Sequence, residues 1–297
     1  MKTLSRKEFD ILNAMIRAGE RLSQRRLEEI TGYSLSTVNR TLKELAEKGL
    51  AAGGRITPQG LEAMEPYAAR RAVFVAAGFG SRMVPVTLNT PKPLVRVNGK
   101  RIIDGLLDAC LAAGINEIYI VRGYLAEQFD QLLYKYPMVH FLENPAYNDA
   151  NNISSAVCAR YLLQNAYVFE ADLVISNPEI VTKYHYTSDF LGIPMDRSDD
   201  WCFTVKNGVI TGQKVGGLNV YQEVGISYWD EDAGRKLADD LKTAYEMPGG
   251  KERYWDQVPF SIFPEHYQVE IRPCLASDII EIDSFKELKA IDKTYDI

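Results

Sequence analysis

The sequence predicts a two-domain protein: a Rossmann-like α/β domain with a mixed, mainly parallel sheet over residues 71–297, preceded by a small helical domain with a short hairpin over residues 1–68. Three observations predict it. At 297 residues the chain exceeds the usual size of one compact domain, and 46% hydrophobic residues suffice for sizeable cores. The apolar spacing is helical up to about residue 68, and from Arg71 it changes to short apolar runs alternating with helical stretches. The charge is also uneven. In residues 1–70, 12 Lys and Arg against 9 Asp and Glu give a formal +3, leaving −9 of the total −6 for the remainder. Only the first segment therefore has an electrostatic case for binding nucleic acid.

In the first domain, Phe9, Leu12 and Ile16 mark one helix, and a second starts from a Ser23 cap and runs through Leu27 and Ile30 to Gly32. A third helix is expected over 34–48. Its apolar positions Val38, Leu42 and Leu45 follow i, i+4, i+7, and Ser36, Thr37, Asn39, Arg40 and Lys43 fall on the opposite face. Gly49 stops it, Gly53-Gly54 permits a tight turn between 51–52 and 55–56, and Thr57-Pro58 restarts a helix with a cap and a proline at its first position. This order resembles the winged helix-turn-helix domains of bacterial regulators. The resemblance implies DNA as a partner of residues 1–68, with the third helix in the major groove; the plainer reading is a module for dimer or protein contacts.

Beyond Arg71, strands are expected at 72–76, 117–121, 139–143 and 167–171, with helices at 102–113, at 126–136 and from near Asn152. Residues 201–229 read as a β-rich insertion or extension. Such alternation predicts helices on both faces of the sheet and ligands at the carboxyl ends of its strands. No apolar run approaches the roughly 18 residues of a membrane span, and residues 1–20 lack a signal peptide's apolar centre, so a cytoplasmic location without membrane partners is expected. Cys110, Cys158, Cys202 and Cys274 are scattered among apolar neighbours, as reduced core thiols are, and His140, His185 and His266 are isolated. Any metal must then be held by carboxylates, which favours a hard cation such as magnesium.

The strongest local signal follows the first strand of the larger domain: Ala76, Ala77, Gly78, Phe79, Gly80, Ser81 and Arg82, then Thr87 and Pro91-Lys92-Pro93. Small residues let backbone N–H groups approach phosphates, while Arg82 and Lys92 add positive charge, as a nucleoside triphosphate requires. The spacing is neither a P-loop nor a full GxGxxG, since Met83 occupies the last glycine position. The combined pattern resembles the signature of sugar-phosphate and choline-phosphate nucleotidyltransferases. It departs in having Val84 where many members carry a second arginine.

Nucleotidyl transfer needs alignment and charge neutralisation at the α-phosphorus, for which Mg2+ held by carboxylates at strand ends is an economical device. Asp172 follows an apolar strand, and Glu281 and Asp283 close the run 278–283, where strand alternation puts both on one face. The family resemblance matches 170–172 and 281–284 to its two metal-binding segments, implying metal ligation by Asp172, Glu281 and Asp283, with Lys92, Arg82 and Asp172 as the catalytic set.

Between these segments the chain is rich in aromatic residues, which serve either as ordinary sheet core or as faces for a quaternary ammonium. From Arg71 onward it resembles the bacterial CTP:phosphocholine cytidylyltransferases, through Gly123-Tyr124, Asn151-Asn152 with Ser155, Asp200-Trp201, 225–230 and Tyr254-Trp255-Asp256. That resemblance implies transfer of CMP from CTP to phosphocholine. Trp201, Tyr254 and Trp255 would cage choline, Asp256 would offset its charge, and Tyr124, Asn152 and Ser155 would lie by the nucleotide. Two alternatives stand beside it: 2-aminoethylphosphonate or phosphoethanolamine as acceptor, and a transcription regulator using a transferase-like domain as a metabolite sensor.

Overall fold

The computed structural model describes residues 2–296. They form two compact units, one comprising the chain up to Ala68 together with Tyr184–Tyr186, the other comprising Ala69–Lys183 and the chain from Thr187.

In the first unit, helices α1 (Arg6–Ala18), α2 (Gln24–Thr31) and α3 (Leu35–Glu47) precede a hairpin of β1 (Ala51–Ala52) and β2 (Arg55–Ile56) and helix α4 (Pro58–Met64). Each helix starts where a short hydroxyl side chain accepts a backbone N–H, from Ser5, Ser23, Ser34 and Thr57 in turn. At α1 the cap is reciprocal: Glu8 reaches back to the Ser5 N–H and also meets Lys48 Nζ at 2.7 Å. Burial alone would raise the Glu8 pKa, but these bonds outweigh it and hold the carboxyl below its ordinary value. Leu12, Leu27, Val38 and Leu45 are fully buried between the three helices.

The tripeptide Tyr184–Tyr186 completes this core. The Tyr186 ring lies 5.8 Å from that of Tyr67 and 5.5 Å from that of Phe9, and Tyr184 is buried in the same cluster. The helical patterning of residues 1–68 carries no sign of this contribution.

The second unit is built on a seven-stranded sheet whose strands, in spatial order, are β10 (Asp189–Lys206), β12 (Glu270–Pro273), β11 (Val209–Trp229), β8 (Ala166–Glu170), β3 (Arg71–Val75), β6 (Glu117–Arg122) and β7 (Val139–Glu143). Strands β3 (Arg71–Val75), β6 (Glu117–Arg122), β7 (Val139–Glu143) and β8 (Ala166–Glu170) run parallel. A small hairpin, β4 (Arg96–Val97) with β5 (Lys100–Arg101), precedes helix α5 (Ile102–Ala112), and helix α6 (Ile153–Ala159) leads into β8. Short strand β9 (Leu173–Ile175) follows β8. Two long strands, β10 (Asp189–Lys206) and β11 (Val209–Trp229), turn through Asn207-Gly208, both at positive φ, and β11 lies antiparallel to β8. After helix α7 (Glu231–Glu246) come β12 (Glu270–Pro273), β13 (Ile279–Glu281), which pairs with β9, and helix α8 (Phe285–Ile291).

The strands alternate faces. Phe74, Ile118, Ile120 and Phe169 pack on α5 through Leu106 and Leu107, while Val73, Val121 and Val168 face Ile153 of α6 and Leu237 and Leu241 of α7. Burying each such side chain contributes about 1.5–3 kcal/mol, which makes this two-faced core the main source of stability. The chain leaves β3 toward β6 and returns on its other side as β8, so a crevice opens at the carboxyl ends of β3 and β8.

Three differences from the sequence reading have local causes. The helix expected over 126–136 is a 3₁₀ helix at Ala126–Tyr134, whose buried residues Phe129 and Leu132 stand three apart, the period of that helix. The strand expected to reach Asp283 ends at Glu281, because Asp283 and Ser284 give their N–H groups to Glu287 in the cap of α8. The β-rich region begins at Asp189 rather than 201. No helix among the described residues is long and apolar enough to cross a membrane.

Tyr186→Ala should destabilise the first unit by about 1–3 kcal/mol. The expected signature is faster amide exchange in α1 with exchange in β3 and β8 unchanged.

Candidate active site

The crevice is a cleft of about 550 Å³. One wall is the segment after β3. Gly80 sits there at φ +66°, where a Cβ would stand 3.1 Å from Lys92 Cβ and 3.2 Å from Thr87 Cγ2, so any side chain would be strained and crowded against both. The Thr87 hydroxyl donates to the Gly80 carbonyl at 2.9 Å, which explains why a threonine accompanies the glycine loop. Ala76, Ala77, Gly78, Phe79, Gly80, Ser81, Arg82 and Lys92 all line the cleft.

Lys92 is nearly buried and donates to Asp172 Oδ2 at 2.6 Å and Asp283 Oδ1 at 2.9 Å. Burial opposes its charge, but the two carboxylates outweigh that and hold its pKa above the ordinary lysine value. Arg82 is more exposed and bonds Asp283 Oδ1 at 2.8 Å.

The facing wall is acidic. Glu170 ends β8, Asp172 follows it, and Glu281 ends β13, whose register places it opposite Leu173. One oxygen from each of these three carboxyls lies within 4.8 Å of the others, and Asp172 Oδ1 is buried without a hydrogen-bond partner. Burial, then Asp172 and Asp283, push Glu281 up to about 8; the residue is exposed overall, so water in the cleft tempers this. Burial, then Asp172, Glu281 and Asp256, also raise Glu170 well above its ordinary value. Crowded carboxyl oxygens with an orphaned acceptor suit a hard divalent cation. Glu170 therefore clusters with Asp172 and Glu281, while Asp283, which like Asp172 bonds Lys92, is also bonded by Arg82.

At the other end of the cleft, Trp201 and Tyr254 meet edge to face with centroids 6.1 Å apart. Beside them lie the carboxyls of Asp256, which is buried, and of Glu223, which is half-buried. The Gln213 amide donates to both, to Glu223 Oε2 at 2.8 Å and to Asp256. Burial raises the pKa of each, and for Glu223 the nearby Asp256 adds to it.

Two of the expected residues, Trp255 and Tyr124, sit elsewhere, and a third, Ser155, has its hydroxyl engaged within the protein. Trp255 is 1% exposed and stacks on Phe190 in the core, so it is no ring of a cage; adjacent residues point to opposite sides, and Asp256 takes the cleft side. Tyr124 props the loop from behind, its ring 4.4 Å from Phe79 and its hydroxyl on the Thr87 and Leu88 carbonyls. Ser155 lines the cleft, but its hydroxyl accepts from Asn144 at 3.0 Å. Asn152 also lines the cleft and bridges Glu170 and the Trp255 N–H. Glu223 and Gln213 stand in no sequence motif, and Glu170 is absent from the metal set expected from the sequence, although its place at the end of an apolar strand is a signal that could have found it.

A cradle of N–H groups and cations facing clustered carboxyls across one cleft is what nucleotidyl transfer demands of a Rossmann-like sheet. Residues 71–191 match the family described as Nucleotidyl transferase, and residues 2–55 match the MarR family. The chain is 38% identical over 228 residues to the 2-aminoethylphosphonate cytidylyltransferase of Lancefieldella rimae, covering 75% of this chain and 92% of that protein. It is 30% identical over 228 residues to the choline-phosphate cytidylyltransferase of Streptococcus pneumoniae, covering 75% and 97%. The solved CTP:phosphocholine cytidylyltransferase of Streptococcus pneumoniae superposes with a TM-score of 0.70 at 29% identity, covering 76% of this chain and 99% of that one. The chain belongs to the nucleotidyltransferase family, within its cytidylyltransferases, and carries a MarR-like winged helix domain at its N-terminus.

The raised carboxyls set a direction for stability against pH. A group whose folded pKa lies above its unfolded value stabilises the fold below the unfolded value and loses that contribution as pH rises through the folded one. With chelator present, the melting temperature should therefore fall between about pH 5 and about 8, the latter set by Glu281. Glu281→Gln should flatten the decline, as differential scanning fluorimetry would read.

Proposed function

We propose that the second unit transfers CMP from CTP to a small phosphonate or phosphate monoester bearing a primary ammonium, with 2-aminoethylphosphonate foremost, and releases pyrophosphate. The observation that carries the choice of acceptor is the Glu223–Asp256 pair tied together by Gln213. A primary ammonium brings three N–H donors and is served by buried carboxyl acceptors, whereas a trimethylammonium has no donor to offer them. The relative at 38% identity, named for 2-aminoethylphosphonate, supports the same acceptor. Trp201 and Tyr254, whose rings suit a quaternary ammonium, favour phosphocholine as the second reading, with the relative at 30% identity.

In the reaction an oxygen of the acceptor attacks the α-phosphorus of CTP, one P–O bond forms, and the α–β bridging P–O bond breaks in line with it. The loop N–H groups, Lys92 and Arg82 hold the triphosphate. To do so, Lys92 and Arg82 exchange their present carboxylate partners for phosphate oxygens, which frees Asp172 and Asp283 to join Glu170 and Glu281 around a cation. Mg2+ bound there would neutralise the charge that develops on the phosphates. Glu223 and Asp256 hold the acceptor's amine end, and no covalent intermediate is required. Retention of Lys92 and Asp172 in contact speaks for turnover rather than metabolite sensing alone, and consumption of CTP for a cytoplasmic setting.

The first unit is proposed to dock on duplex DNA through α3, whose exposed Ser36, Asn39, Arg40 and Lys43 share one face.

A pyrophosphate-release assay with CTP and a panel of 2-aminoethylphosphonate, phosphoethanolamine and phosphocholine should give the highest kcat/KM with 2-aminoethylphosphonate; best turnover of phosphocholine would overturn the choice of acceptor. Asp172→Ala should lower the rate by about a hundredfold or more. Glu223→Gln should narrow the preference for the primary amine over phosphocholine by about tenfold. For DNA, Arg40→Ala with Lys43→Ala should abolish the retardation of duplex by the full chain and leave pyrophosphate release unchanged.

A further inference from the structure

Asn152 stands between the acidic wall and the segment that carries Tyr254 and Asp256. Its Nδ2 donates to Glu170 Oε1 at 3.2 Å, and its Oδ1 accepts the Trp255 N–H at 2.9 Å. The neighbouring Asn151 holds the same segment further back, its N–H on the Lys251 carbonyl at 2.7 Å and its Nδ2 on the Glu252 carbonyl at 3.3 Å. Trp255 is locked by its ring in the core, with Phe190 stacked at 6.2 Å and Trp229 edge-on at 6.1 Å. The segment 251–256 thus has two anchors: an apolar one through the Trp255 ring and a polar one through the Asn151-Asn152 pair. Tyr254 and Asp256, on either side of Trp255, are the residues these anchors aim into the cleft.

An N–H and an oxygen of the Asn152 amide are therefore already committed within the protein. From this we infer that Asn152 is a positioning residue for the amine end of the acceptor, and not a contact that sets the affinity for the nucleotide. It fixes the direction of Tyr254 and Asp256 by holding the backbone between them. The inference rests on the proposed transfer to an amine-bearing acceptor, but either amine would depend on the same segment.

The test is made in the full chain with Asn152→Ala. Loss of the amide leaves the Trp255 N–H without its partner and slackens the segment. The KM for 2-aminoethylphosphonate should then rise by about tenfold or more, with kcat little changed. The dissociation constant of CTP, measured by calorimetry without acceptor, should stay within about twofold of wild type. Asn152→Asp keeps an oxygen for the Trp255 backbone N–H but loses the N–H to Glu170, and should recover part of the acceptor KM, which a general loss of stability would not allow. If Asn152→Ala does not fold, Asn152→Asp carries the comparison, with acceptor KM again expected to move more than CTP affinity. A CTP dissociation constant that rises as much as the acceptor KM in the folded variant overturns the inference. If wild type prefers phosphocholine, the acceptor proposal falls, and the same measurements with phosphocholine still judge Asn152. A wild type that uses no amine acceptor overturns both.

Discussion

The cleft exists because one lysine reconciles charges that would otherwise repel. Four carboxyls, from Glu170, Asp172, Glu281 and Asp283, gather at the ends of two strands and the start of a helix cap, and Lys92 bonds two of them directly. Removing one partner from such a set leaves uncompensated charge in a poorly solvated place, which is far costlier than losing an exposed ion pair. Lys92 can reach this position because Gly80 has no Cβ to obstruct it and because Thr87 ties the loop down. The glycine loop is thus a device for seating a cation.

The same economy governs the other end of the cleft. Glu223 and Asp256 come from strand β11 and from the loop after α7, and they are brought together by the Gln213 amide, which lies earlier on β11. A long, irregular pair of strands makes this possible, since Cys202 and Phe203 of β10 pair with two stretches of β11, Gln213 and Lys214 in one and Tyr221 and Gln222 in the other. Glu170 sits between Asp172 and Glu281 on one side and Asp256 on the other and is raised by all three, so the two acidic groups of the cleft share one continuous field.

Much of this was legible in the sequence because the informative residues are local. The caps Ser23 and Thr57, the Gly53-Gly54 turn, the glycine loop and its lysine, and the acids at 170–172 and 281–283 declare themselves through neighbours a few residues away. Long-range partnerships did not. Trp255 reads as a cage aromatic beside Tyr254, yet the pitch of the chain sends it inward, onto Phe190 on another strand. Asp283 reads as the end of a strand, but the capping box of Ser284 and Glu287 claims the backbone first. Glu223 carries no pattern at all; its meaning comes from Gln213 and Asp256, which only the folded chain brings near.

The first unit illustrates a constraint of another kind, on the order in which the chain can mature. Its aromatic core needs Tyr186 beside Tyr67 and Phe9, so it cannot be finished when residue 68 leaves the ribosome. Domains that fold as units during synthesis usually do so from the N-terminus onward. Here the leading domain must wait until β3, β6, β7 and β8 have all been made. An N-terminal cassette cut at the visible boundary would carry every helix of the winged fold and still lack a piece of its own interior.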